Sequence, residues 1–124
     1  MDQIQATNEA FAAILADGSV VAWGDPDYGG DCSTVQDQLR KVQQIQATAG
    51  AFAAILADGS VVAWGDPDYG GDCSAVQDQL RKVQQIQATD GAFAAILADG
   101  SVVAWGNLDY GGDCLAIQDQ LQYL

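Results

Sequence analysis

The chain has no histidine and only four basic residues among its 124 residues, against 17 acidic ones, so its formal net charge is −13. Without imidazole, every mechanism that needs histidine as a base, a proton shuttle or a metal ligand is excluded. Nucleic-acid-binding proteins need a basic stripe that displaces counterions from phosphates, and anionic membranes attract basic segments. We therefore expect neither partner. The charge favours a basic protein or a cation.

Long apolar runs are also missing, because no stretch approaches the roughly 18–20 residues that a membrane helix needs. We expect no membrane insertion, and the amino terminus shows no basic segment followed by an apolar one. The three cysteines, Cys32, Cys73 and Cys114, are widely spaced and odd in number. This pattern is not a disulfide framework or a zinc finger. It favours free thiols in a reducing intracellular compartment, the cytoplasm or an organelle, with a three-thiolate metal site as the alternative.

The main feature of the sequence is an internal repeat of 41 residues. The recurring aromatic positions are Phe11, Phe52 and Phe93, and Trp23, Trp64 and Trp105. The tryptophans are interpreted as packing between repeats. The chain is interpreted as one repeat domain, 1–124, with units 2–42, 43–83 and 84–124. Units one and two differ at only four positions.

Each unit predicts a strand followed by a hairpin. In unit two, residues 43–48 alternate polar and apolar side chains, as in a half-exposed strand. The apolar runs 51–57 and 60–65 meet at Asp58-Gly59, a strong signal for a tight hairpin turn. Both hairpin strands are apolar on both faces. Each hairpin must therefore be sandwiched between neighbouring units.

A loop and a short helix complete the unit. Residues 66–72 are rich in aspartate and glycine, which indicates a loop. Residues 73–80 predict a two-turn helix that Asp72 or Ser74 caps, with Ser74 and Gln77 as a capping box.

One stretch, 86–106, resembles the repeat of the regulator of chromosome condensation (RCC1) family. The shared features are the Asp-Gly turn, the Trp-Gly pair at Trp105-Gly106 and the Tyr-Gly pair at Tyr110-Gly111, all of which recur in the other units. The resemblance implies a β-repeat fold and an interaction role. Family members that form closed seven-bladed propellers have more and longer repeats. The loops that serve exchange-factor activity, and the nucleosome-binding face, have no counterpart here, so no active site is transferred.

The expected fold is mainly β. Three tandem 41-residue units, each a β-hairpin plus a short helix, stack as an open arc or short solenoid. The alternative is a closed, pseudo-threefold domain similar to a β-trefoil.

The acidic loops are the candidate metal sites. The weak calcium candidates are Asp25, Asp27, Asp31, Asp66, Asp68 and Asp72. Clustered carboxylates suit calcium, yet loop position five is glycine, where an EF-hand-like loop has an acid or amide, and position twelve is glutamine, which cannot supply a bidentate carboxylate. The preferred interpretation is that these side chains bond loop amides and cap the helix. No cofactor is predicted.

The expected function is a non-catalytic protein-interaction or scaffold module, or a small accessory subunit of a larger assembly. An enzyme is not expected, because each carboxylate pair recurs in all units, whereas a catalytic centre is usually a single asymmetric constellation. The alternative is a calcium- or carbohydrate-binding β domain. The third unit is the more apolar one, and exposed apolar patches mark interfaces. The predicted docking residues, for a host complex or a second copy of the chain, are Leu108, Leu115, Tyr123 and Leu124.

Overall fold

A computed structural model describes residues 3–112 of the chain. These residues form three antiparallel sheets, each a meander of three consecutive strands. The strands are β1 (Gln3–Ala6), β2 (Ala10–Ile14) and β3 (Val20–Gly24); β4 (Val42–Ala47), β5 (Ala51–Leu56) and β6 (Val61–Gly65); and β7 (Val83–Ala88), β8 (Ala92–Leu97) and β9 (Val102–Gly106). The mainly β fold is confirmed.

The hairpin at Asp58-Gly59 is confirmed, with a wider turn than the sequence predicted. β5 and β6 pair antiparallel, and the Leu56 amide donates to the Ser60 carbonyl at 2.9 Å. Three residues therefore lie between the paired positions, and the last of them, Gly59, has a φ of +83°. This is a three-residue hairpin loop, for which glycine in the left-handed position is preferred. Asp58 holds it by accepting from the Ser60 amide at 3.0 Å and from its hydroxyl at 2.6 Å.

The central hairpin is buried on both faces, as the apolar pattern predicted. Side chains of a strand alternate between the two faces of a sheet. Phe52 and Ala54 of β5 pack into a core with the first sheet, whereas Ala53 and Ile55 pack into a second core with the third sheet. The middle unit is thus satisfied by a neighbour on each side.

The three sheets stack in chain order without closing into a ring, so the open arrangement is confirmed for the described part of the chain. The first strands of successive sheets, β1, β4 and β7, lie next to one another. The β-trefoil alternative is therefore not the fold.

The predicted short helix is present in units one and two, where Ser33–Gln38 and Ser74–Gln79 form 3₁₀ helices. The capping box is absent at Ser74. Instead, the Gln77 side chain donates to the Val61 carbonyl at 3.3 Å and accepts from Cys73 Sγ at 3.1 Å, which ties this short segment to β6. Asp72 accepts from the Ser74 amide at 2.9 Å. Within residues 3–112, no helix has the length and apolar character required to cross a membrane.

Candidate interaction surfaces

The contact between units is built around one tryptophan and one glycine. Trp64 Nε1 donates to the Gly29 carbonyl of the preceding unit at 3.1 Å, and the ring of Phe52 stacks on Trp64 with 5.3 Å between centroids. A Cβ on Gly29 would lie 2.6 Å from the Phe52 ring, so only glycine allows this approach. The same contact recurs one unit later, where Trp105 Nε1 donates to the Gly70 carbonyl at 3.0 Å. Packing of the tryptophans between repeats is confirmed for these two.

Backbone hydrogen bonds tie the units together at both ends of the sheets. At the β1–β2 turn, the Asn8 amide donates to the Ala49 carbonyl at 2.9 Å, and the Ala49 amide donates to Asp90 at 2.8 Å. At the opposite end, the Ala57 amide donates to the Lys41 carbonyl of unit one at 2.9 Å, and the Ala98 amide donates to the Lys82 carbonyl of unit two at 2.9 Å. Each junction is therefore held at both ends of the sheets and through its core.

A recurring threonine, which the sequence analysis missed, joins the first strand of each unit to its acidic loop. Thr48 is 4% exposed; its hydroxyl donates to the Tyr69 carbonyl at 2.7 Å and accepts from the Ala51 amide at 3.0 Å. Thr7 and Thr89 make the equivalent bonds to Tyr28 and Tyr110 at 2.7 Å. The available signal was its recurrence every 41 residues directly before a turn.

Replacing Thr48 with valine is expected to lower the free energy of unfolding by about 1–3 kcal/mol, because an isosteric side chain leaves buried backbone groups without their partner. Urea unfolding of Thr48→Val measures this loss. Thr48→Ser keeps the hydroxyl and is the matched control. Equal stability of the two variants would contradict the assigned role.

The aspartates of the acidic loops bond loop amides. Asp25 and Asp66 each accept from the amide two residues later at 2.9 Å, and Asn107 does the same in unit three. Asp31 accepts from Ser33 at 2.9 Å, and this bond lowers the pKa of the Asp31 carboxyl, as the Ser74 bond does at Asp72. These bonds match the preferred structural interpretation. Among residues 3–112, no group of three or more acidic, cysteine or histidine side chains is placed to hold a metal ion. Calcium or carbohydrate binding stays a hypothesis, which calorimetry with calcium chloride would test.

Charge is distributed unevenly between the two ends of the sheets. We call the end with the β1–β2 turn and the acidic loop the loop end, because the Asp25 amide donates to the Glu9 carbonyl there at 2.9 Å. The loop end carries Glu9, Asp25, Asp27, Asp66, Asp68, Asp90 and Asp109, of which all but the half-buried Asp66 are exposed. The chain's four basic residues form two pairs, Arg40-Lys41 and Arg81-Lys82, beside the hairpin turns at the opposite end. The loop end is therefore purely acidic.

The described thiols are buried and are not joined in a disulfide. Cys32 and Cys73 are free, and each Sγ donates to the glutamine four residues later at 3.2 and 3.1 Å. Burial raises the pKa of both thiols, which lowers their reactivity. Cys114 lies outside the described residues.

We expect a thiol reagent to count three groups in the denatured chain without reductant, and to modify Cys32 and Cys73 much more slowly in the folded one, because buried thiols with raised pKa are poor nucleophiles. Time-resolved labelling followed by peptide mass analysis assigns each rate. Fewer than three groups after denaturation would reveal a disulfide or a bound metal, and rapid native labelling would contradict the burial.

Unit one exposes the apolar face that the other units bury. We call this surface the leading face: Ile4, Phe11, Val21 and Trp23, which are 46%, 46%, 43% and 45% exposed. The equivalent residues of unit two, Ile45, Phe52, Val62 and Trp64, are between 0% and 6% exposed. The sequence has no local signal for this surface, because the leading face consists of unchanged repeat residues.

Unit three presents the opposite face of the repeat. Leu108, one of the predicted docking residues, is 72% exposed, and Tyr110 is 46% exposed. A shallow groove of about 140 Å³ lies beside Tyr110 and Gly111 and reaches Phe93 and Ala94 of β8. The other predicted docking residues, Leu115, Tyr123 and Leu124, lie outside the described residues.

The three sheets have the fold of RCC1-like β-propeller blades. Yeast RCC1 (Prp20), solved as a complex with Kap60, is similar with a TM-score of 0.65 at 20% identity, over 84% of this chain and 29% of its own. Prp20p from Saccharomyces cerevisiae has a TM-score of 0.60 at 20% identity, over 86% of this chain and 31% of its own. Its structure is described together with its binding properties to Gsp1p and histones. The CRINKLY WD40 ectodomain of the Arabidopsis thaliana receptor kinase ACR4 has a TM-score of 0.61 at 23% identity, over 83% of this chain and 37% of its own.

At these identities the similarity shows the fold alone. The chain spans about a third of the length of these solved structures. No protein-family model matches the sequence, and no curated protein matches it.

Proposed function

We propose that this protein is a non-catalytic interaction scaffold that binds a basic protein surface through its loop end. The observation that carries the proposal is the placement of charge: the acidic loops of all units share one end, which has no basic residue, whereas the hairpin-turn end combines all four basic residues with Asp17, Asp58 and Asp99. A surface of one sign steers an oppositely charged partner and orients it on binding.

The rigidity of the loop end supports this role. Each loop is fixed to its own unit by a threonine hydroxyl, as at Thr48, and the loops of units one and two are also fixed to the next unit through a glycine carbonyl, as at Gly29. The carboxylates are thereby held at a fixed spacing before a partner arrives, so binding orders few groups and loses little entropy.

Membership of the RCC1 family is part of the same proposal, supported by the blade fold and the recurring Trp-Gly and Tyr-Gly pairs. One of the similar structures, Prp20p, is described with binding to histones, a class of basic protein. We also propose that residues 1–124 fold as one repeat domain, in a reducing intracellular compartment as part of a larger assembly.

The test is capture of partners from native extract by the immobilised chain, followed by elution with increasing salt. The triple variant Asp27→Asn, Asp68→Asn and Asp109→Asn removes three charges from the loop end and should lose most of the captured protein. Isothermal titration with a lysine-rich peptide should show the same loss, because neutralised carboxylates no longer attract the cationic partner.

The matched control removes three charges at the hairpin turns, through Asp17→Asn, Asp58→Asn and Asp99→Asn. Asparagine keeps an oxygen for the turn bonds, as Asn107 does in its loop. This variant should bind nearly as well as the original chain. Equal losses of binding in the two triple variants would mean that net charge alone, and not the loop end, attracts the partner. No loss of binding in either variant would refute the loop-end site.

A further inference from the structure

The two ends of the described stack expose the two sides of the contact that joins the units inside it. Inside the chain, the Tyr-Gly loop of each unit covers the phenylalanine and tryptophan of the next unit, twice, with the same hydrogen bond at 3.1 and 3.0 Å. The leading face of unit one has the phenylalanine and tryptophan without a loop over them. Unit three has the loop, and among residues 3–112 no atom lies within 4 Å of the position of a Cβ on Gly111.

Both halves already have the conformation that they adopt inside the stack. Phe11 and Trp23 are stacked with 5.5 Å between centroids, against 5.3 Å for the covered pair in unit two. Gly111 has φ and ψ of 100° and 15°, close to the 96° and 9° of Gly70, whose loop is packed against unit three. Little reorganisation is required for these halves to bind, so little free energy of association is lost.

We infer that the chain associates head to tail with a second copy, the leading face of one copy receiving the Tyr110-Gly111 loop of the other. Trp23 Nε1 then donates to the Gly111 carbonyl, and the ring of Phe11 lies against the Gly111 backbone beside Tyr110. The occupant is a second copy because the complementary surface is present on this same chain and is shown to fit twice within it. Such an interface is heterologous, so it can extend further or close into a ring.

This association involves different residues from the binding of a basic partner at the loop end. The two kinds of binding also depend on salt in opposite directions, which distinguishes them experimentally. Each copy carries −13, so screening by added salt should strengthen self-association. Binding of a basic partner should weaken under the same conditions. Failure of either proposal leaves the other testable.

The experiment is sedimentation velocity of the chain over a range of concentrations at moderate salt. The wild-type sedimentation coefficient should rise with concentration. Trp23→Lys blocks the leading face. Gly111→Ala blocks the Tyr110-Gly111 loop, since a Cβ at the equivalent Gly29 would lie 2.6 Å from the phenylalanine of the next unit. Each variant alone should associate at least ten times more weakly, whereas Ala16→Lys, which adds the same charge at an exposed hairpin turn, should behave as wild type.

Mixing the two blocked variants is the decisive step. The intact Tyr110-Gly111 loop of the Trp23→Lys chain should bind the intact leading face of the Gly111→Ala chain. The product is a one-to-one dimer that cannot grow further. Circular dichroism checks folding, and Phe11→Lys with Tyr110→Lys is the second pair if either variant unfolds. A wild-type chain that stays monomeric, a mixture that stays monomeric, or a Gly111→Ala chain that associates as wild type each overturns head-to-tail association.

Discussion

Replacing Phe52 with alanine is expected to lower the free energy of unfolding by about 3–5 kcal/mol, the usual loss for a buried aromatic side chain in a packed core. The same replacement of Phe11 is expected to lower it by only about 1 kcal/mol, because the ring is already half in solvent and its removal leaves no enclosed cavity. Phe52 is 0% exposed and Phe11 is 46% exposed, although their neighbours in sequence are nearly identical.

Urea unfolding of the two single variants, at a concentration where the chain is monomeric, measures this difference. The two variants are matched, since both phenylalanines occupy the same position in the repeat. Each is paired with a tryptophan on the next strand, Phe11 with Trp23 and Phe52 with Trp64. Equal losses would mean that unit one is covered like unit two, and that the open stack is wrong.

A second large effect is expected at the glycine of the Tyr-Gly loop. Gly70→Ala should lower stability by about 2–5 kcal/mol, of which 1–2 arises from the left-handed backbone and the rest from overpacking against unit three. A Cβ on Gly70 would lie 2.6 Å from Phe93 Cδ2. Gly111→Ala has the same backbone strain, with φ of +100°, but within the described part of the chain its Cβ would have no neighbour within 4 Å, so its loss should stay at about 1–2 kcal/mol.

Thermal and urea unfolding of both alanine variants give the two numbers, and their difference isolates the contact between units from the backbone conformation. If Gly111→Ala proved as destabilising as Gly70→Ala, backbone strain alone would account for the loss. The close packing of the loop against the next unit would then contribute nothing.

Much of the fold follows from local sequence patterns. The Asp-Gly turn identifies the hairpin, and strands that are apolar on both faces require a neighbour on each side, as β5 has. The open arrangement was one of two alternatives, because a repeat count of three suits both a stack and a threefold ring. The unit-to-unit hydrogen bonds, such as Trp64 to Gly29, decide between them, and such long-range contacts have no local signal.

The errors have equally local causes. The segment after the acidic loop folds as a 3₁₀ helix, and Gln77 bonds the sheet and Cys73 instead of closing a capping box. The wide hairpin turn at Gly59 shares its Asp-Gly sequence with tight turns, so the sequence favoured the commoner of the two.

The interaction surfaces were only partly predictable. Substitutions identify Leu108, which is 72% exposed, because leucine replaces the proline of the other units there. The leading face has no such signal, since Phe11 and Trp23 match the residues that are buried in unit two. Their exposure depends on whether another unit packs against this face, as unit one does against unit two. The acidic loop end required the topology, which brings together loops 41 residues apart.

Hydrogen exchange of the three tryptophan indoles tests the central claim, an open stack whose units are joined by the same contact. The Nε1 protons of Trp64 and Trp105 are buried and bonded to glycine carbonyls, whereas Trp23 is 45% exposed. In the Gly111→Ala chain at low concentration, NMR should show two indole protons that exchange slowly and one, that of Trp23, that exchanges at once. Three protected indoles would indicate a closed arrangement, and three rapidly exchanging ones would contradict the stacking of the units.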